Sequence, residues 1–136
     1  MFKKITTIIL TVLTAVLVLG TVVSASDMSL FTTYLHSCSS TLSISGTTAT
    51  CSSKASGYYG EATSVKIEQS LEMKKSSGKW EEVDSWSETD EGYVGSATNY
   101  KYNLSKGSYR LKSTFTVYCG SDYEVVEKYS YEKTVS

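Results

Sequence analysis

The chain has 136 residues, of which 40% are hydrophobic, 12% aromatic and 20% charged, with eleven Tyr, three Cys, one His and no Pro. That balance excludes a disordered tail, a collagen-like repeat and a multi-span membrane protein. Net charge is −1 at pH 7, and loss of Lys3 and Lys4 with an export signal takes Lys+Arg from 13 to 11 against 14 Asp+Glu, a mature charge of −3. Nucleic acid is excluded as a partner, because phosphate-backbone binding is driven by clustered positive charge.

Met1-Phe2-Lys3-Lys4 forms a short positive n-region, Ile5 to Leu19 an apolar run, and Val23-Ser24-Ala25 a small-residue cleavage site before Ser26. The rival reading is an uncleaved anchor, since Ile5 to Val23 approaches the roughly 20 residues that span a bilayer. The small residues favour cleavage. The expected division is therefore a helical signal peptide over residues 1–25 and one domain over residues 26–136, secreted and extracellular, with no membrane contact once the signal is removed.

The mature chain alternates with period two. Phe31 to His36 and Thr41 to Ile44 read as weak strands, and Ala49, Cys51, Ser53 and Ala55 mark the inward side of a third. From Val65 to Met73 the residues Val65, Ile67, Gln69, Leu71 and Met73 alternate with charged and polar partners, which places one set on a core face and the other in water. Trp80 to Ser87 and Thr98 to Leu104 are weaker. Tyr109, Leu111, Ser113, Phe115, Val117 and Cys119 share a face of the second regular strand, and Glu124 to Thr134 ends the series. Turn signals separate them at Ser45-Gly46, Ser56-Gly57, Ser76-Ser77-Gly78, Asp90-Glu91-Gly92, Lys106-Gly107 and Gly120-Ser121-Asp122. Seven or eight strands at this spacing predict an all-β, two-sheet antiparallel sandwich. Ile67, Leu71, Trp86, Leu111, Phe115 and Val117 are its expected most buried side chains.

Lys106-Gly107-Ser108-Tyr109 before the second regular strand resembles the tyrosine corner of immunoglobulin-like sandwiches, in which the phenol bonds back to the backbone at the turn. Leu111 stands where antibody domains carry the second Cys, so the resemblance is to the architecture alone. The order Leu42-Ser43-Ile44-Ser45-Gly46, Ala49-Thr50-Cys51, Leu71-Glu72-Met73-Lys74-Lys75, Gly78-Lys79-Trp80, Val83-Asp84-Ser85-Trp86 and Gly107-Ser108-Tyr109-Arg110 resembles small exported β-sandwich proteins of Gram-positive bacteria, of the domain-of-unknown-function type. That resemblance implies fold and compartment, and no reaction or ligand.

Three residue sets bear on function. Cys38, Cys51 and Cys119 are an odd number in an exported chain; a Cys38–Cys119 bridge would tie the first strand to the last hairpin, and Cys51 reads as a buried thiol. His36 is the only His, two residues before Cys38, a spacing that seldom brings nucleophile and base together on one strand. Glu81, Glu82, Asp84, Glu88, Asp90 and Glu91 concentrate carboxylates that could serve a hydrolase or bind Ca²⁺, but they match no calcium loop and read as a charged edge hairpin. The aromatic residues exceed what one small core encloses, and Tyr58, Tyr59, Tyr118, Tyr123 and Trp80 are the candidate binding residues. The leading expectation is a non-enzymatic module without cofactor or metal that binds a protein or glycan. The alternatives are a carboxylate-dependent hydrolase and a secreted toxin, immunity or bacteriocin-like factor.

Overall fold

A computed structural model describes Val22–Ser24 and residues 33–136. Its strands, in chain order among those residues, are β1 (Val22–Ser24), β2 (Leu35–Ser45), β3 (Thr48–Gly57), β4 (Ser64–Lys74), β5 (Trp80–Glu91), β6 (Val94–Lys101), β7 (Gly107–Cys119), β8 (Asp122–Tyr129) and β9 (Lys133–Val135). The two regular alternations, β4 and β7, pair antiparallel in the centre of one sheet, with Leu71 opposite Leu111 and Ile67 opposite Phe115. That sheet runs β1-β8-β7-β4-β5, with β9 continuing along the β8 side of β7, and the second sheet runs β2-β3-β6. The two sheets form an open sandwich in which every pairing is antiparallel except that of β1 with β8. The signal-peptide helix expected over residues 1–25 lies outside the described residues, apart from Val22–Ser24.

The order β4-β7-β8 corresponds to C-F-G of an immunoglobulin-like sandwich, and β2-β3-β6 to A-B-E. The tyrosine corner is present at the start of β7. Tyr109 is buried, and its hydroxyl donates to the backbone carbonyl of Ser105 at 2.7 Å.

Where the strands depart from the sequence reading, small or polar inward residues are the cause. The end of the first weak strand and the whole of the second belong to one strand, β2, which starts at Leu35, because Ser40 points inward and its hydroxyl is met by Ser113 at 2.7 Å; Phe31, where the first was expected to start, lies outside the described residues. β6 begins at Val94 rather than Thr98, since its inward residues are Gly95 and Ala97, which give no apolar signal. A Cβ on Gly95 would lie 2.9 Å from a Val65 methyl, so only glycine allows β6 to approach β4 this closely. The final strand breaks between Tyr129 and Lys133, where the Ser130 hydroxyl takes the Leu111 N–H.

Ile67, Leu71, Leu111, Phe115 and Val117 are buried as expected; Trp86 is only half-buried. It stands on β5, an edge strand whose inner side is only partly covered by the facing sheet, and packs against the rim of the core.

The core has two apolar halves. One gathers Leu35, Ala55, Val65, Ile67, Ala97, Phe115, Val117 and Val126. The other gathers Leu42, Ala49, Cys51, Leu71, Leu104, Tyr109, Leu111 and Val135. Between them runs a chain of side-chain hydrogen bonds that crosses both sheets. Asn99 Nδ2 donates to Gln69 Oε1 at 2.7 Å, and Gln69 Nε2 donates to Ser53 Oγ at 2.7 Å. Because an amide N–H₂ only donates, Ser53 accepts there, and its own proton goes to Ser113 at 2.7 Å. Ser113 then donates to Ser40, whose proton reaches the Leu111 carbonyl. No buried side-chain nitrogen or oxygen lacks a partner among the described residues, as a polar layer inside an apolar core requires.

Candidate functional site

One pole of the sandwich is formed by the lead into β2, the β3–β4 loop, the β5–β6 turn and the β7–β8 hairpin. It carries Tyr34, His36, Tyr58, Tyr59, Tyr93, Tyr118 and Tyr123. The β3–β4 loop ties these segments together by backbone bonds. Tyr58 N–H donates to the Tyr34 carbonyl at 3.2 Å, Gly57 N–H to Tyr93 at 2.7 Å, Thr63 N–H to Tyr118 at 2.7 Å, and Gly92 N–H to Thr63 at 2.8 Å. Gly57 is required where these segments meet, since a Cβ there would lie 2.5 Å from Ala62 Cβ and 3.1 Å from the Tyr34 carbonyl oxygen. The lead into β2 is fixed by Glu124, whose carboxylate accepts the N–H groups of Thr33, Tyr34 and Leu35 at 2.6–3.0 Å.

The rings are held but open to solvent. Tyr59 is 83% exposed and sits edge-on to Tyr93 with centroids 5.2 Å apart. Tyr58 meets His36 at 5.3 Å, and Tyr118 meets Tyr123, itself 57% exposed, at 6.0 Å. Anchored backbone and paired rings reduce the ordering cost of binding, while each ring offers a rigid apolar face with a hydroxyl at its edge.

The electrostatics of this pole are acidic. Residues 33–36, 58–63, 91–93 and 118–123 contain no Lys or Arg, while Glu61, Glu91 and Asp122 are exposed there. The Tyr34 phenol is held above its ordinary range, first by the charge of Asp122, then by burial and by Cys119, Glu124 and Glu61. The Cys119 thiol is raised by burial first and then by Glu61, Asp122 and Glu124.

Tyr58, Tyr59, Tyr118 and Tyr123 are thus brought together, and Trp80 is not. Trp80 begins β5 at the opposite pole, where the Arg110 guanidinium lies 4.3 Å from its ring centroid and 4.3 Å from that of Tyr129. Glu72 holds the same Arg110 at 2.8 Å, so one face of the indole is already occupied. Tyr34, His36 and Tyr93 join the pole without having been among the candidate residues. Tyr93 flanks a turn while Tyr34 and His36 stand at the start of β2, and only the strand order shows that these segments converge.

The predicted carboxylate group is dispersed over both faces of β5. Asp84 pairs with Lys101 at 3.3 Å, Asp90 accepts the Ser96 N–H at 2.9 Å, and Glu81 pairs with Lys75 at 3.1 Å. Glu82 instead stands opposite Glu72 and, with Glu68 and Lys112, lines an open concavity of about 490 Å³ on the outer face of the larger sheet.

Cys38 lies opposite Ala55 within β2, whereas Cys119 ends β7 opposite Asp122, and no bridge joins the two in the structure. Cys51 is fully buried and its thiol is pushed up to about 12, first by burial and then by Asp84. Burial likewise raises the Cys38 thiol against the lowering effect of Lys128. Among the described residues no three His, Cys, Asp or Glu side chains form a group that could hold a metal ion.

No family model matches this chain, and no curated protein matches it. Among solved structures, the solution structure of CsgH from R. palustris is similar, with 14% identity over 66% of this chain and 87% of that one and a TM-score of 0.41.

Proposed function

We propose that this protein is an exported, non-enzymatic β-sandwich that binds a protein or glycan through its tyrosine pole, as an extracellular module at or near the surface of a Gram-positive cell. The observation that carries the reading is the convergence of Tyr58, Tyr59, Tyr93 and Tyr123, all exposed, on one pole whose backbone is cross-tied. Exposed aromatic rings on an anchored frame are the residue type that dominates both protein hot spots and recognition loops. The export signal read from residues 1–25 supports the compartment. The three thiols, all raised above their ordinary range, support a role without a thiolate nucleophile.

Glycan-array and surface pull-down screening of the secreted product, compared with its Tyr59→Ser/Tyr123→Ser variant, tests this reading. Specific capture that the double variant loses is the expected result; capture that survives it would move the binding surface elsewhere.

A second reading, carboxylate-dependent hydrolysis, is favoured by one observation, the Glu72–Glu82 pair lining the outer concavity. Glu72 is ion-paired with Arg110 at 2.8 Å, and Glu82 stands opposite it across the concavity. Turnover of a polysaccharide that Glu82→Gln abolishes would establish that reading in place of the first.

A further inference from the structure

The other pole, where Tyr100, Tyr102 and Tyr131 are also exposed, has the reverse charge. The β4–β5 turn, the β6–β7 loop and the segment before β9 bring Lys74, Lys75, Lys79, Lys101, Lys106 and Lys133 to that end. Three are engaged within the chain: Lys74 with Glu132 at 3.7 Å, Lys75 with Glu81 at 3.1 Å and Lys101 with Asp84 at 3.3 Å. Lys79, Lys106 and Lys133 are exposed and make no ion pair among the described residues. At the tyrosine pole the exposed Glu61, Glu91 and Asp122 likewise make no ion pair among the described residues. The thirteen residues of β7 connect the two poles, a rise of about 40 Å at about 3.3 Å per residue. That distance is several Debye lengths at physiological salt, so the two ends do not neutralise each other within one molecule.

We propose that the two poles are partners of each other and that the protein associates head to tail with further copies of itself. The proposal rests on the reading of the tyrosine pole as a binding surface and names a second copy as one occupant. Three unpaired ammonium groups meet three unpaired carboxylates, and the exposed rings of Tyr58, Tyr59 and Tyr123 offer faces over which a lysine ammonium is attracted. The lysine pole already shows this chemistry within one chain, where Lys74 lies 5.8 Å from the Trp80 ring. Like poles repel, so a two-fold dimer through either pole is disfavoured. The contact is heterologous and leaves a free pole at each end, so it extends into open chains.

Sedimentation velocity of the secreted product, from about 10 μM to about 1 mM at low and at high salt, tests the proposal. The expected result is a weight-average mass that passes that of a dimer at low salt and returns to monomer at high salt. The variants Lys79→Glu/Lys106→Glu/Lys133→Glu and Glu61→Lys/Glu91→Lys/Asp122→Lys should each remain monomeric alone and associate again when mixed, which also shows that both are folded. A wild-type protein that stays monomeric throughout, a closed dimer, association indifferent to salt, or assembly only with an added polyanion such as heparin would each overturn the proposal. Specific ligand capture lost in Tyr59→Ser/Tyr123→Ser would persist in the first case, so failure of self-association and failure of the tyrosine-pole reading are distinguishable.

Discussion

The two apolar halves of the core and the polar chain between them are held by different physics. In each half, side chains from both sheets interdigitate, and their stabilisation scales with the apolar area withdrawn from water. In the chain, Asn99, Gln69, Ser53, Ser113 and Ser40 contribute little net energy each, but every member requires its neighbour. Apolar packing constrains the two sheets by shape, without bond direction. A five-member chain of fixed donor direction adds a directional constraint on the register between the sheets. It acts on specificity, whereas the two halves act on stability.

Truncating the halves should give the largest effects. Phe115→Ala in the first should cost about 3–5 kcal/mol and Leu111→Ala in the second about 2–5 kcal/mol, each by lost transfer energy plus a cavity. Urea midpoints are the measurement, with slopes unchanged if the native state stays compact. A midpoint that Leu111→Ala leaves in place would refute the central position of β7.

Gln69→Leu preserves bulk and removes the hub of the chain. Ser53, Asn99 and the Cys51 carbonyl lose a partner, and the expected cost is about 1–3 kcal/mol. Ser113→Ala should cost less, about 1 kcal/mol, because the serines on either side retain one partner each. The sharper readout is order. Methyl NMR resonances of Leu71 and Val65 should broaden or split in Gln69→Leu and remain single in a core variant of equal stability. If both variants give single sharp sets, the chain adds no registration and the contrast with the halves fails.

Tyr109→Phe removes the bond to the Ser105 carbonyl while leaving the ring in place, so the expected loss is about 0.5–1.5 kcal/mol. This would mark the hydroxyl as a lock on the β6–β7 loop, beside the packing of the ring in the second half. A neutral Tyr109→Phe would assign the corner's whole contribution to its ring.

The halves were legible in the sequence and the polar chain was not. Alternation in β4 and β7 identified Ile67, Leu71, Leu111, Phe115 and Val117 because large apolar residues recur there at every second position. Gln69 was placed on the inward face by the same count, but its partners lie on two other strands, β3 and β6, and no local pattern links Gln69 to Ser53 or Asn99. The extension of β2 through Ser37–Ser40 was hidden for the same reason, as its inward serine is satisfied only by β7. Trp86 shows the converse limit. Period two gives the face a side chain takes and says nothing of whether its strand is central or at an edge. Of the candidate site, the tyrosines were named from composition, and what the sequence lacked was the convergence of four separated turns on one pole, which only the sheet order supplies. The same lack placed Trp80 with residues at the far end of the molecule.

Cys51 stands on the boundary between the second half and the polar chain: its side chain is buried among Leu42, Ala49 and Leu71, and its carbonyl accepts from Gln69 at 3.2 Å. Its thiol is pushed up to about 12 from 9.0, chiefly by burial. A group whose folded pKa is raised contributes stability that is complete below its unfolded pKa and is lost as pH climbs through the folded value. Between about pH 9 and pH 12 the unfolded chain releases a proton that the folded chain keeps, so stability should fall with rising pH over that window and be indifferent to Cys51 ionisation near neutrality. Cys119 is raised in the same direction, so the test compares wild type with Cys51→Ala, in which the Cys119 contribution remains. The wild type should lose stability more steeply than Cys51→Ala above pH 9, with parallel curves below it. Thiol labelling at pH 8 gives the companion readout, with Cys51 modified only in urea, since the thiolate is the reacting form. Modification of Cys51 in the native protein as fast as in urea would place it outside the apolar half and dissolve the boundary between packing and polar chain at this position.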